Sequence, residues 1–426
     1  MQEHREHPVR LVVEDNLRRN RLTVFLRLIL AIPHLIWIIL WTIAVIFAAI
    51  ANWIATLVTG TPPAGIHRFM CRYIRYSVHL GAYIHLVANS YPGFVGEEGE
   101  YPVDVRLPGP EPQARWKTFF RLFLALPALL LSSALGGAGG PTYGGGSSRS
   151  GSRYSVGGSG FLTAAVAVLG WFASLVLGRM PKGLRDAGAY GIGYNAQGLA
   201  YLLLVTERYP NADPTELLED VERPPQHVVH LIGDPEDLRR SRLTVFFRVL
   251  LAIPHLIWLV LWTVAAVVVG IISWFATLIT GTPPASLHAF LSRFVRYSLH
   301  VNAFLYLAAN PFPGFVGEPG SYPLDLALPG PERQNRWITA FRIVLAVPAW
   351  IVNVGLAFAL VVAAIYTWFV ALVRGVAPWG LRNLMAYALR YGAQLNAYLY
   401  LITDAYPHAS PLEGAGEAQR PVDEEQ

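Results

Sequence analysis

Four arginines are the residues whose type and placing first ask for a chemical explanation. Arg27, Arg121, Arg248 and Arg342 each stand six positions before a proline, inside a run that is otherwise apolar. A guanidinium at membrane depth is costly unless it is hydrated, snorkels or finds a partner. Two roles stay open for this set. The long side chain can reach the headgroup layer and fix helix depth, or the planar fork can bind a lipid phosphate or another anion. A second basic set, Arg72 and Arg75 with Arg293 and Arg296, makes a stripe that Arg68 extends. With the apolar face Phe69, Ile74 and Val78, it predicts an amphipathic surface for anionic headgroups.

A further polar family recurs on another segment. Tyr76, Tyr194, Tyr297 and Tyr391 are each followed three residues later by His79, Gln197, His300 and Gln394. That spacing puts each pair on one helical face. Interhelical hydrogen bonding explains it, and so does a lined pathway for a solute or ion, although no carboxylate is expected beside these groups. Trp53, Trp171, Trp274 and Trp368 stand seven residues before a glycine and are expected in an interfacial belt. A metal site is not expected. His34, His67, His79 and His85 cluster in sequence, but position 85 becomes Tyr306 in the third copy, no acidic or thiol ligand joins them, and Cys71 is the single cysteine. Paired carboxylates, a P-loop, HExxH and GxSxG are missing, so neither catalytic residues nor a cofactor are expected.

The elements that must position these residues follow from composition and internal repetition. The chain has 426 residues, 54% hydrophobic and 14% charged, with a formal charge of +5. Such a balance predicts an integral membrane protein, multi-pass in the cell membrane, with membrane lipids and other membrane proteins as partners. Nucleic acid is a poor candidate because the arginines abut apolar segments. The N-terminal stretch MQEHREHPVR lacks an apolar core, so no cleavable signal peptide is expected.

A shift of 221 residues superposes IPHLIW, GTPP, PGFVGE and LPGPE on themselves, which marks a tandem duplication. Each half divides again, giving copies over 8–101, 102–210, 227–322 and 323–407. A connector at 211–226 and an acidic tail at 408–426 are expected to be without structure, and a Gly/Ser-rich insertion occupies 136–160. The expected fold is an α-helical membrane protein with short β-strands, four internal repeats arranged as two duplicated halves.

Each copy opens with an alternating strand segment (9–13, 103–107, 227–231, 324–328) and continues into a long apolar run holding one proline. Gly60, Gly178, Gly281 and Gly375 close that run, and a second helix follows behind a proline. The run exceeds one bilayer span of roughly 20 residues. Either its first part lies along the interface and only the later part crosses, or both parts cross as a hairpin turning near Trp41, Trp262 and Leu356.

The pattern RLTVFxRLxLAIPH, then WFATLxTG, then a helix ending NAYLYLxTDxYP resembles an uncharacterised bacterial membrane family, the domain of unknown function DUF4389. Residues 21–91, 242–312 and 395–407 carry the resemblance best. The second copy departs through its insertion and through Gly198 and Leu199, where the fourth has Leu395 and Asn396. The resemblance implies an integral membrane protein typical of actinobacteria and transfers no activity, ligand or catalytic residue. The expected function is non-enzymatic: binding anionic lipid headgroups or scaffolding membrane partners, with a solute or ion pathway as the alternative.

Overall fold

No residue between Arg21 and Thr59 interrupts the helical ladder, Pro33 included. The apolar run is one helix of 39 residues, and a hairpin turning at Trp41 is thereby ruled out. A computed structural model describes residues 7–136, 160–219, 221–233 and 238–412. The chain forms two units, Met1–Val221 with Val354–Val362, and Glu222–Asn353 with Ala363–Gln426.

In the first unit, β1 (Arg10–Val13) leads to α1 (Arg21–Thr59) and α2 (Ala64–Ile84); β2 (Val103–Arg106) leads to α3 (Arg115–Phe119) and α4 (Arg121–Leu135). Then come α5 (Phe161–Leu177), α6 (Lys182–Leu202), α7 (Pro214–Leu217) and β3 (Leu218–Glu219). The second unit repeats the order with β4 (His230–Ile232), α8 (Arg242–Thr280), α9 (Ala285–Leu305), β5 (Asp325–Ala327), α10 (Arg336–Arg374) and α11 (Trp379–Leu399). Most of the Gly/Ser insertion lies outside the described residues.

The helix ends are set locally. The Asn20 and Asn335 side chains accept the N–H groups of Leu22 and Trp337, and Gly60, Gly178, Gly281 and Gly375 supply the left-handed closing residue. Each second helix has 21 residues, starts behind a proline and ends sooner than the sequence pattern implies. It turns off through a leucine with positive φ: Leu86, Leu204, Leu307 or Leu401. A left-handed non-glycine residue costs roughly 1–2 kcal/mol, so something outside the helix must hold these turns.

Within a unit the two copies are exchanged partners. β1 pairs antiparallel with β2, Leu11 facing Val105, and β4 pairs with β5, Leu231 facing Leu326. Gln113 N–H donates to the Gly60 carbonyl and Arg19 N–H to that of Gly178; Gln334 and Arg240 do the same for Gly281 and Gly375. The four tryptophans complete the exchange. Trp53 donates to Thr118 O at 2.8 Å, Trp171 to Val24 O, Trp274 to Thr339 O and Trp368 to Val245 O. These indoles are half-buried ties between copies, a role that the expected interfacial belt does not include.

The first unit has three layers: the long helices α1, α4 and α5, then α2 and α6 against them, then the strands on the far side of α2 and α6. The connector and the start of the tail are structured after all. α7 and β3 fall within 211–226, β3 runs parallel to β1, and Tyr387 and Arg390 donate to the carbonyls of Ala409 and Ser410.

Candidate functional site

The arginine inside each apolar run points into the protein, and in the first, third and fourth copies it caps a helix. Arg27 NH1 donates to the carbonyls of Tyr83 and Ala88, which bracket the left-handed Leu86, and its guanidinium lies 4.4 Å from the Tyr83 ring centroid. Arg248 repeats this on Phe304 and Ala309, and Arg342 on Tyr398 and Thr403. Arg121 stacks over Tyr201 at 4.1 Å and donates to the Gln113 side chain. All four are at most 2% exposed. The carbonyls left over at a helix C-terminus take a fixed cation there, so the snorkelling reading gives way to an internal cap.

The tyrosine and His/Gln family fastens one copy to the strand segment of the other. Gln197 donates to Val9 O at 2.8 Å and Gln394 to Val229 O at 2.9 Å. In the other two copies His79 meets Asp104 at 3.3 Å and His300 meets Asp325 at 3.1 Å. Arg75 and Arg296 pair with the same two carboxylates. The expectation that no carboxylate accompanies this family is therefore wrong. Asp104 and Asp325 lie 25 residues further on, on the opening strand of the next copy, which the exchange lays beside the histidine helix. Burial pushes both acids up, but hydrogen bonds from the histidine and from two backbone N–H groups outweigh it and hold them below the ordinary carboxylate value. Tyr76 and Tyr297 bond the Nδ1 atoms of His34 and His255 at 2.8 Å, while Tyr194 and Tyr391 are buried.

Of the basic stripe, Arg72 and Arg293 remain exposed, and among the described residues neither makes a hydrogen bond or ion pair. The apolar face Phe69, Ile74 and Val78 is turned toward the core. Arg293 stands at the edge of a cavity of about 730 Å³ between α8 and α9, walled by Trp258, Trp262, Phe290, Phe315 and Val316. The loop carrying Phe315 is pinned by Trp258, whose indole donates to Phe315 O at 3.1 Å, and by Gly317. A Cβ on Gly317 would collide with the Arg293 carbonyl, so the loop reaches the helix only with glycine there. In the first copy, Trp37, Trp41, Phe69, Arg72, Phe94 and Val95 occupy the corresponding positions, with the same indole bond from Trp37 to Phe94 O and the same crowding at Gly96. Among the described residues no group of three or more His, Cys, Asp or Glu is placed to hold a metal ion.

The model of the family described as "Domain of unknown function (DUF4389)" matches residues 21–96, 156–212, 242–316 and 336–410. The chain belongs to this family. No curated protein and no solved structure matches it. The four DUF4389 segments fall one in each copy, and the second begins only at residue 156, because the insertion splits that copy. Among the described residues, three helices, Arg21–Thr59, Arg242–Thr280 and Arg336–Arg374, are long and apolar enough to cross a membrane.

Aligned on their closing glycines, the DUF4389 copies differ at the cavity. Arg72 and Arg293 give way to Tyr190 and Tyr387 in the second and fourth copies. Those hydroxyls donate to the Ala212 and Ala409 carbonyls at 2.7 and 2.6 Å. Trp258, Trp262 and Phe315 are replaced by Val352, Leu356 and Ala409, all buried. The same place is open and basic in the third DUF4389 copy and filled by buried neutral residues in the fourth. This alternation is visible in the aligned copies, but a search for residues common to all four passes over it.

Proposed function

We propose that this is a non-enzymatic membrane protein that holds anionic lipid through its first and third copies, and that it organises lipid or membrane partners. The observation that carries the reading is the open cavity at Arg293, with aromatic walls and an exposed guanidinium that makes no bond among the described residues. Apolar walls suit acyl chains, and a planar guanidinium suits a phosphate oxygen pair. The exposed apolar faces of α1 and α8 beside these positions give a lipid a lateral way in. Arg27, Arg121, Arg248 and Arg342 are occupied by the protein's own carbonyl and amide oxygens, so in this proposal they build the scaffold and Arg72 and Arg293 meet the headgroup.

The test is phospholipid retention after detergent purification, read by mass spectrometry, for wild type and for Arg72→Gln with Arg293→Gln. Anionic phospholipid should fall several-fold in the double variant while zwitterionic phospholipid stays level. Equal anionic retention in a folded variant would sink the proposal.

A further inference from the structure

The long helices invert the usual arrangement of a water-soluble amphipathic helix. In α1 the inward residues include Arg27, His34, Asn52 and Thr56, whereas every exposed residue from Leu22 to Val58 is apolar. The same holds in α8 from Leu243 to Ile279 and in α10 from Trp337 to Val373. This outer apolar stripe is about 55 Å long at 1.5 Å per residue, against a hydrocarbon core of about 30 Å. Upright crossing would leave about 25 Å of apolar surface in water, and matching the core needs a tilt of about 55–60°, beyond the 0–40° that spanning helices adopt.

Two further observations exclude such a compromise. First, the apolar surface is one-sided in the first unit. α2, α6 and then the strands cover the inner face of the long helices, and the strand side carries exposed charge at Glu14, Glu98 and Arg106. A spanning bundle needs apolar surface all around its waist. Second, both ends of the helix layer are basic. Arg21 donates to Val176 O and Arg115 to Val58 O, each an exposed arginine closing the carbonyl end of the neighbouring long helix, and Arg242 and Arg336 do the same in the second unit. Basic flanks stay on the cytoplasmic side, so both ends belong at one surface.

We infer that the long helices lie in the plane of a single leaflet instead of crossing the bilayer, with their outer stripe on acyl chains and their terminal arginines among anionic headgroups. The partner is one face of an anionic membrane. Stripe and arginines match it in extent and charge. The inference concerns the helix layer alone and stands or falls apart from lipid binding at the Arg293 cavity.

A depth profile tests it. On a Cys71→Ser background, single cysteines replace Ile29, Ile36, Ile43, Ile50 and Val58, which lie on one exposed side of α1. They are spin-labelled in vesicles of phosphatidylglycerol and phosphatidylethanolamine, and depth is read from oxygen against nickel-chelate collisions. Cysteines at the exposed Asn16 and Thr61 are probed with an impermeant maleimide in sealed vesicles. A uniform shallow depth, about 5–10 Å below the headgroup boundary, with both ends labelled from the same side, is the expected result. Ends labelled from opposite sides, or a depth maximum at Ile43 in the middle of the helix, would overturn it, each as the mark of a crossing.

Discussion

The first and second copies, like the third and fourth, share their main structural devices and differ at one surface that bears on function. Both members of a pair keep the buried arginine, the closing glycine, the bonded tryptophan and the left-handed leucine. They part where Arg72 faces Tyr190 and Arg293 faces Tyr387. The tyrosine satisfies a carbonyl of its own chain, whereas the arginine stays exposed and, at Arg293, lines an open cavity. A pair of this kind needs one copy to close the fold and frees the other to carry a surface. What repeats in all four is therefore architecture, and what alternates is the place to look for function.

The comparison breaks most readily at the buried arginines. Arg27→Leu or Arg248→Leu should cost several kcal/mol, because two carbonyls lose their donor at roughly 1–3 kcal/mol each while Leu86 or Leu307 is left unsupported in its turn. Arg72→Gln should leave stability within about 0.5 kcal/mol, as expected of an exposed site. Unfolding midpoints in detergent check both. If Arg27→Leu and Arg72→Gln are equally mild, the division into scaffold and surface arginines fails.

Gly317→Ala should be the next largest, at about 1–3 kcal/mol, since it meets the Arg293 carbonyl and strains a φ of +62°. It should lift the Phe315 loop and increase Trp258 fluorescence quenching by acrylamide. An unaltered quenching constant would show that the loop is not held from this glycine.

A smaller effect belongs to acid. Burial lowers the His7 pKa to about 4, and its Nδ1 accepts the Val9 N–H. The unfolded chain takes up that proton near pH 6.5 and the folded chain only near pH 4, so stability falls as pH drops through this window. Asp104, held low in the fold, adds a further loss below about pH 4. A His7→Asn variant should flatten the midpoint between about pH 6.5 and 4; an unchanged slope would remove His7 as the cause.

The smallest effect sharpens the comparison. His79→Gln converts an odd-copy residue to the even-copy type, and Gln197 already performs the equivalent strand contact. A change under about 1 kcal/mol is expected, the scale of one net hydrogen bond. A much larger loss in unfolding midpoint would mean that the bond to Asp104 does more than hold the strand.

Some features are legible in the order of residues alone because they depend on neighbours along the chain. The closing glycines, the prolines that start the second helices and the first two alternating strands need only local backbone preference, and they stand where the pattern puts them, while the third alternating strand is displaced to His230–Ile232. The continuous helix through Trp41 is not legible in this way, for the opposite reason. Trp41 packs on Phe69, Tyr73 and Tyr76, so its place against protein removes the need for a turn there. The strand in 211–226 escapes a reading of composition because its polar residues hide a segment that pairs with β1.

By itself, the sequence determined that four copies of one unit exist, that each carries a cation within an apolar run, and that the outer stripe avoids charge. Those are matters of order along the chain. Only the tertiary structure decided what the cations do. Arg27 meets carbonyls 56 and 61 residues away, and Asp104 meets His79 across the exchange of copies. A charged group's role is set by what surrounds it in space: for Arg27 the end of the second helix of its own copy, for Asp104 the neighbouring copy. The fold of its own copy buries Arg27 against the turn at Leu86 and leaves Arg72, further along the same copy, facing outward.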